Sequence, residues 1–316
     1  MRGRSLVERR VEREVRMRFW LSLVNVPEVE QYVEVARFAE EVGFHGITIA
    51  DHLVMPMKHD SRYLYTPDGR TWWPDDLPWA DPWVTLAAIA TATTRLELAT
   101  NIYLLGLRDP FTAAKAISTA AVLSGDRIRC GIGSGWIREE YDIVGVDFDD
   151  RGARIDEMIE VMRKLWTGET VSHQGERFAF QDALMAPAPP RRHVPILVGG
   201  SSRPALRRAA RNDGWFGVPQ PKDALLATIR ELHALREEQG CADRPFEIVF
   251  SLMGFLKPDL ARELESLGAG DTGTLPWMQT PWGNMPWLHD GEDPSKLDVK
   301  KKAMERYAED VIRRVG

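Results

Sequence analysis

Cysteines and closely spaced histidines are scarce in this sequence. Two cysteines occur in 316 residues, Cys130 and Cys241, and they lie far apart without the spacing of metal ligands. A disulfide scaffold and a zinc site are therefore not expected, and a reducing cytoplasm is the compartment that fits. No two of the seven histidines are four positions apart, as two ligands on one helix face would be, so we predict no metal site.

Long apolar runs and an excess of positive charge are also missing. No stretch approaches the roughly 20 apolar residues of a membrane-spanning helix. The first eighteen residues hold seven arginines and lack the apolar region of a signal peptide. The formal net charge of −6 argues against a nucleic-acid-binding protein. Residues 1–16 form a basic extension that could contact nucleic acid or an acidic partner. We interpret them as an extension ahead of one domain, residues 17–316.

Short apolar segments alternate with amphipathic helices along the chain. Eight segments are mostly apolar on both faces, as are strands buried on both sides of a parallel sheet. They are 19–24, 46–50, 96–105, 127–133, 195–200, 214–218, 247–255 and 272–278. Helical apolar stripes follow them, for instance over 29–42 and 151–167. Eight strands, each followed by a helix and with no linker between halves, predict an α/β protein with a single (β/α)8 TIM barrel.

Long loops are predicted after strands 2, 4 and 8, over residues 51–81, 170–180 and 276–295. Loops that follow barrel strands form the face that carries the active site, so the first and third should overhang it. The third contains three Pro-Trp pairs. We take Trp277 and Trp282 as candidates for a substrate pocket, and buried packing or a dimer contact as the alternatives.

The segment "RCGIGSGW" ends the fourth predicted strand. A dinucleotide-binding loop would have its third glycine one position later and would lead through a helix into another strand. Here Gly135 comes one position early and two helices follow, so that site is not expected. Bare backbone at this place could instead admit a flat ring, with a hydrogen bond from Ser134 and a stacking wall from Trp136. The alternative is a tight turn with Trp136 in the core.

The fifth strand leads into a candidate phosphate site. It ends in Gly199, Gly200, Ser201 and Ser202, and a helix begins near Pro204. Free N–H groups at a helix N-terminus, together with serine hydroxyls, suit a phosphate. The alternative is ordinary capping of the helix by serine. Nearby arginines that could add positive charge are Arg203, Arg207 and Arg208.

Two other predicted strands end in polar residues. Asp51 and His52 follow strand two, where an acid and a histidine are candidates for proton transfer. Asn101 ends strand three and could hold the polar edge of a ring, or simply lie in a turn.

These motifs resemble the luciferase-like monooxygenase superfamily. The resemblance is carried by "GIGSGWIREEYDIVGVDFDDRGARIDEMIEVMRKLWTGE", with its Gly-x-Gly-x-Gly-Trp turn and its Glu-Glu pair. The blocks "DHLVMP", "SRYLYTPDG", "LATNIYLLGLRDP" and "PILVGGSSRPALRRAARNDGWF" support it in the same order. It covers roughly residues 17–220 and is nearest to the branch of oxidoreductases that depend on coenzyme F420, a deazaflavin.

The resemblance implies a barrel that binds a flavin or a deazaflavin at its C-terminal face. It places a cis peptide, Asn101–Ile102, behind the ring, and His52 beside the ring as proton donor or acceptor, with Asp51 orienting either. The residues implied around the cofactor phosphate are Gly199, Gly200, Ser201 and Ser202. Those implied where ring and substrate meet are Ser134, Gly135 and Trp136. Sugar-phosphate dehydrogenases of the superfamily have an acidic residue where this chain has Trp136, so their substrate is not carried over.

The function expected on this basis is hydride transfer between F420 and a small organic substrate. One alternative is a monooxygenase that uses FMN reduced by a partner reductase. Another is a non-catalytic flavin-binding protein. The resemblance also makes a homodimer an expectation, and no membrane or nucleic-acid partner is predicted.

Overall fold

The computed structural model describes residues 17–280 and 283–315. Eight parallel strands close its central sheet: β1 Arg18–Leu23, β2 Gly46–Ile49, β3 Glu97–Thr100, β4 Ile128–Gly133, β5 Ile196–Gly199, β6 Gly214–Gln220, β7 Glu247–Leu252 and β8 Asp271–Thr274. A ninth strand of two residues, Tyr103–Leu104, follows β3 and also pairs with β4. Each of the eight strands pairs with the next along the chain, and β8 pairs with β1. The sheet is thus closed, and the predicted TIM barrel with all eight of its strands is confirmed.

Helices surround this barrel. They are α1 Tyr32–Val42, α2 Pro82–Ala92, α3 Pro110–Ser124, α4 Arg138–Val144, α5 Arg151–Trp166, α6 Arg203–Arg211, α7 Lys222–Glu238, α8 Pro258–Ser266 and α9 Leu297–Tyr307. Helices α2 and α3 begin with proline and are capped by Asp81 and Asp109, whose carboxylates accept hydrogen bonds from N–H groups of the first turn. The short helix α4 is an addition to the fourth strand–helix unit. Among the described residues, none of the helices combines the length and the hydropathy of a membrane span.

The barrel interior contains a small apolar layer of its own. Its buried members are Trp20, Ala99, Leu197, Phe216 and Val249, and Ile102 packs on them. The main core lies outside this layer, between the strands and the helices. Such filling by side chains is usual in TIM barrels and leaves the C-terminal ends of the strands as the place for a ligand.

Ionised side chains close the opposite, N-terminal end of the barrel. Arg129 donates hydrogen bonds to Glu97 at 2.7 Å and to Glu247 at 3.0 Å. Asp271 accepts one from the Trp20 indole at 2.8 Å. Because these residues stand at the first positions of their strands or near them, they belong to the end that serves stability in this fold.

His45, just before β2, predicts an acid-sensitive step in stability. Burial lowers its pKa from 6.5 to about 4, and its Nε2 has no hydrogen-bond partner among the described residues. As the pH falls, His45 is therefore protonated in the unfolded chain before it is protonated in the folded protein. The free energy of unfolding that is present above pH 6.5 is consequently lost as the pH falls toward 4. The loss amounts to about 3 kcal/mol at most.

The measurement is urea unfolding of the wild type and of His45→Phe between neutral pH and pH 4. Phenylalanine keeps a ring near Trp20, whose ring centre lies 5.3 Å from that of His45, and does not titrate. We expect the variant to lose less stability than the wild type over this window. Parallel pH curves for the two proteins would contradict the assignment.

Two of the three long loops can be placed relative to the barrel mouth. Residues 51–81, which we call the mouth loop, have no regular secondary structure and leave β2 at the C-terminal face. The Tyr65 hydroxyl comes within 3.9 Å of where a Cβ at Gly200, after β5, would stand. Since β2 and β5 are on different sides of the barrel, the mouth loop crosses the opening.

The second loop is a β-hairpin, Val171–Gln174 with Ala179–Ala183. It follows α5 and folds back along that helix, where Glu157 accepts hydrogen bonds from the N–H groups of Arg177 and Phe178. The hairpin thus covers the outside of the helical layer rather than the mouth.

Candidate active site

Asp51 lies two residues after the end of β2 and is fixed by two neighbours. Its carboxylate accepts a hydrogen bond from the Leu104 N–H at 2.9 Å and pairs with both terminal nitrogens of Arg108, at 2.7 and 2.8 Å. Burial raises the pKa of Asp51, while Arg108 and the Leu104 N–H act in the opposite direction. With both oxygens engaged, this side chain holds the segment after β3 in position.

His52 takes its partner from helix α4. Its Nδ1 lies 3.0 Å from Oε2 of Glu140, and the two side chains are 7% and 1% exposed. The other carboxylate oxygen accepts hydrogen bonds from the N–H groups of Leu53 and Val54. Because a carboxylate oxygen can only accept a hydrogen bond, Nδ1 carries the proton of this contact. Nε2 is then the ring nitrogen that can exchange a proton with a ligand. The carboxylate that contacts His52 is therefore Glu140 and not Asp51.

The adjacent Glu139 holds the mouth loop at a second point. Its carboxylate accepts hydrogen bonds from the Asp60 N–H and the Ser61 hydroxyl, both at 2.6 Å. Burial opposes ionisation, but the hydrogen bonds from Ser61 and the backbone outweigh it and lower the pKa of Glu139 to about 2. Two consecutive glutamates of α4 thus fix both the start and the middle of the mouth loop.

Trp136 packs against the mouth loop, including His52 at its start. Its ring centre is 6.4 Å from that of His52, 5.7 Å from that of His59 and 5.3 Å from that of Tyr63. The side chain is only partly buried. This placement fits a pocket wall better than a core residue.

The peptide bond between Asn101 and Ile102 is cis, as the family resemblance implied. Ile102 extends from it across the end of the barrel. Its methyl carbons come within 2.7 Å of the place that a Cβ at Gly199 would occupy, and they would overlap a Cβ at Gly133. These two glycines therefore admit the Ile102 side chain. A Cβ at Gly131 would likewise overlap the carbonyl of Thr100, so the glycines of β4 face neighbouring protein atoms.

Of the "GSGW" turn, Gly135 has the positive φ that favours glycine, +66°. The carbonyl of Ser134 accepts a hydrogen bond from the Tyr141 hydroxyl at 2.8 Å. Tyr141 is on α4, so the turn is tied to the same helix that holds His52 and the mouth loop. Helix α4 thus organises this side of the site.

The candidate phosphate segment follows β5 as expected. Gly200 has a φ of +103°, and its carbonyl accepts a hydrogen bond from the Trp215 indole. Ser202 caps α6 by accepting a hydrogen bond from the Ala205 N–H, while Ser201 is exposed. A helix N-terminus with exposed serine hydroxyls fits a phosphate group, so these residues suit a phosphate-bearing ring cofactor.

Two of the three nearby arginines serve other contacts. Arg207 pairs with Glu238 at 3.1 Å, and Arg208 pairs with Asp156 at 2.7 Å. Arg203 is exposed and forms no ion pair with the described residues. The positive charge expected around the phosphate segment is therefore largely compensated.

The two tryptophans proposed for the substrate pocket have different outcomes. Trp277 is 3% exposed and packs in the main core, and Trp287 of the same segment contacts Tyr307 of α9. Trp277 is therefore a buried packing residue, which was one of the alternatives given from the sequence. Trp282 lies outside the described residues.

The comparison with known families decides the identity of the fold. The sequence model of the family described as luciferase-like monooxygenase matches residues 16–279. The chain belongs to the luciferase-like monooxygenase family. This family membership makes it an oxidoreductase enzyme.

Its relatives in the family include proteins with and without a described activity. An uncharacterized protein of Mycobacterium tuberculosis is 38% identical over 288 residues, which cover 90% of this chain and 95% of that protein. The F420-dependent glucose-6-phosphate dehydrogenase of Amycolatopsis mediterranei is 28% identical over 221 residues, 69% of this chain and 61% of the dehydrogenase.

Solved structures of the same fold include proteins of both cofactor types. The F420-dependent tetrahydromethanopterin reductase from Methanopyrus kandleri superposes with a TM-score of 0.68 at 14% identity, over 95% of this chain and all of that one. An oxygenating component of 3,6-diketocamphane monooxygenase from Pseudomonas putida, in complex with FMN, gives 0.58 at 18% identity, over 78% and 70%. At these identities, the likeness shows the fold alone.

Several residues of this luciferase-like site were not found from the sequence. Glu140 was seen only as part of a Glu-Glu pattern, and Arg108 was not singled out. The aromatic residues of the mouth loop also passed unnoticed. The signal that could have found Glu140 was its place one helical turn after the Trp136 turn, where a carboxylate points back toward the strand ends.

Proposed function

We propose that this protein transfers a hydride between coenzyme F420 and a small organic substrate. The observation that carries the proposal is His52 at the C-terminal face, with Nδ1 hydrogen-bonded to the buried Glu140 and no hydrogen-bond partner of Nε2 among the described residues. The relationship to F420-dependent glucose-6-phosphate dehydrogenases favours this cofactor. When bound, F420 would supply or accept the hydride.

The chain's own residues would hold the cofactor at two places. The phosphate would lie at the start of α6, against Gly199, Gly200, Ser201 and Ser202. The ring would rest on Asn101 and Ile102, with Ser134, Gly135 and Trp136 beside it. Asp51 would act as a positioning residue, since it fixes the segment after β3 through Leu104 and Arg108.

His52 would serve as the acid or base. Glu140 keeps the proton on Nδ1 and orients the ring, so the exchanged proton would be carried by Nε2. Ionised Glu140 would also stabilise the imidazolium that forms when Nε2 takes a proton. A protein that only stores flavin would have no use for this arrangement, which argues for catalysis.

The phosphate assignment is tested by placing a carboxylate beside it. Ser201→Asp changes an exposed residue outside the helix interior, so folding should be retained. Like-charge repulsion is expected to weaken F420 binding at least about tenfold, as measured by a fluorescence titration. Ser266→Asp, at the end of α8, adds the same charge elsewhere and should leave the affinity unchanged. Equal affinity of the two variants would place the phosphate elsewhere.

The runner-up function is that of an FMN-dependent monooxygenase supplied by a partner reductase. It is favoured by the fold likeness to an oxygenating component in complex with FMN. The two functions require different cofactors, and binding measurements distinguish them.

A further inference from the structure

Five aromatic rings form a closed circuit at the barrel mouth. We call them the aromatic cluster: His52, Tyr63, Trp73, Trp79 and Trp136. Successive ring centres are 4.9 Å (His52–Trp79), 6.1 Å (Trp79–Trp73), 4.9 Å (Trp73–Tyr63), 5.3 Å (Tyr63–Trp136) and 6.4 Å (Trp136–His52) apart. Four of its members come from the mouth loop, among them His52 of the candidate site, and the fifth is Trp136 of the candidate site.

The rings of the cluster meet edge to face. The angles between their planes run from 63° to 90° around the circuit. In this geometry, ring edges cover neighbouring ring faces, which is the favourable arrangement for aromatic pairs. A cage for an organic cation instead needs several faces that point at one centre. Because edge-to-face packing presents the positive ring edges together with the negative ring faces, the surface of the cluster is on balance neutral and apolar.

Charged groups next to the cluster are already engaged. Arg108 is paired with Asp51, and Glu140 accepts hydrogen bonds from His52 and the loop backbone. Among the described residues of the mouth loop, the cationic side chains without an ion pair or hydrogen bond are those of Lys58 and Arg70, and both residues are exposed. An anionic group placed on the cluster would thus meet mainly ring surface, and the one imidazole of the cluster, that of His52, already has the Glu140 carboxylate as its partner.

The mouth loop also presents apolar side chains to solvent. Leu53, Val54, Met57 and Leu64 are 44%, 38%, 64% and 70% exposed. Exposed apolar side chains gathered on one loop are typical of a binding region. Here they adjoin the aromatic cluster in sequence and lie on the same side of the barrel.

We propose that the aromatic cluster selects a neutral, planar, conjugated molecule as the substrate and excludes phosphorylated and other anionic substrates. This inference rests on the proposed function for the use of that substrate, since His52 is shared by both. Binding to the cluster can nevertheless be measured without cofactor. A negative result for the substrate class can thus be distinguished from a negative result for F420 as the cofactor.

The test compares coumarin with coumarin-3-carboxylate, which has the same ring system plus a negative charge. Binding to the wild-type protein without cofactor is followed by isothermal titration calorimetry. We expect coumarin to bind at least about tenfold more tightly than the carboxylate. Equal or tighter binding of the carboxylate, tighter binding of the cation trimethylphenylammonium, or no binding of coumarin would overturn the proposal.

Two variants locate the binding site. Tyr63→Leu removes a ring with two contacts in the circuit and should weaken coumarin binding about tenfold, as loss of aromatic stacking does. Trp72→Leu removes a ring of the same loop that contacts Trp73 but is outside the circuit, and should change the affinity less than about twofold. Equal effects of the two variants, with melting temperatures like that of the wild type, would contradict the assignment.

F420 titrations of the same samples separate the two proposals. Coumarin selectivity without F420 binding would support the cluster and overturn the proposed cofactor. F420 binding without coumarin binding would leave the cofactor in place and overturn the substrate class.

Discussion

His52→Ala is expected to lower kcat about 10²- to 10⁴-fold, the range for loss of a positioned acid or base. The side chain contributes Nε2, which has no hydrogen-bond partner among the described residues, while Nδ1 is held by Glu140. The His52 side chain is close to the place proposed for the cofactor ring and away from the proposed phosphate segment. Affinity for F420 should therefore change less than about threefold. The measurement is single-turnover oxidation of reduced F420 with a conjugated substrate, together with a cofactor titration.

His59→Ala is the matched control. His59 is a histidine of the same mouth loop and also contacts Trp136, at 5.7 Å between ring centres, but its Nδ1 lies 3.0 Å from the Ser61 carbonyl. Its replacement should leave kcat within about threefold of the wild type. A His52→Ala enzyme that is as active as this control would remove His52 from the mechanism.

Glu140→Ala is expected to lower both stability and turnover. The buried carboxylate accepts hydrogen bonds from His52, Leu53 and Val54, and its removal leaves those donors without their acceptor. The cost in the free energy of unfolding should be about 3 kcal/mol, in the range for breaking a buried charged contact. Urea unfolding of the variant measures it.

Glu140→Gln separates positioning from stability. The amide keeps an oxygen for the Leu53 N–H but cannot act as an anion toward His52. We expect a kcat at least about tenfold lower and an altered pH profile of kcat, which a purely structural role would not produce. Glu139→Gln is the control, since its partners Asp60 and Ser61 are in the loop and not at the proton-transfer residue. A wild-type pH profile for Glu140→Gln would contradict the positioning role.

Most strand positions could be predicted from the sequence because seven of the eight barrel strands are largely apolar and bounded by turn residues. The exception is β8, Asp271–Thr274, which has no apolar side chain and ends before the predicted segment 272–278 does. The composition and spacing of these short segments were therefore sufficient to predict the barrel. The cis peptide at Asn101–Ile102 could not come from composition, and it was implied by family resemblance. The partner of His52 could not be found from local patterns, because Glu140 is 88 positions away in the chain.

The roles of the glycines and of Trp277 depend on packing that a linear pattern does not show. Gly133 and Gly199 look like open backbone in the sequence, yet both lie against the Ile102 side chain. Trp277 belongs to a segment without regular periodicity, so its burial in the main core could not be distinguished from exposure over the pocket. Arg207 and Arg208 likewise resemble a phosphate-binding surface until their partners Glu238 and Asp156 are seen.

The central claim is that the site serves a deazaflavin. The most direct measurement is a paired titration of the purified protein with F420 and with FMN, followed by fluorescence and by the shift in melting temperature that binding to the folded state produces. We expect a micromolar dissociation constant for F420 and binding of FMN at least about tenfold weaker. Micromolar binding of FMN with no measurable binding of F420 would contradict this account and support the monooxygenase instead.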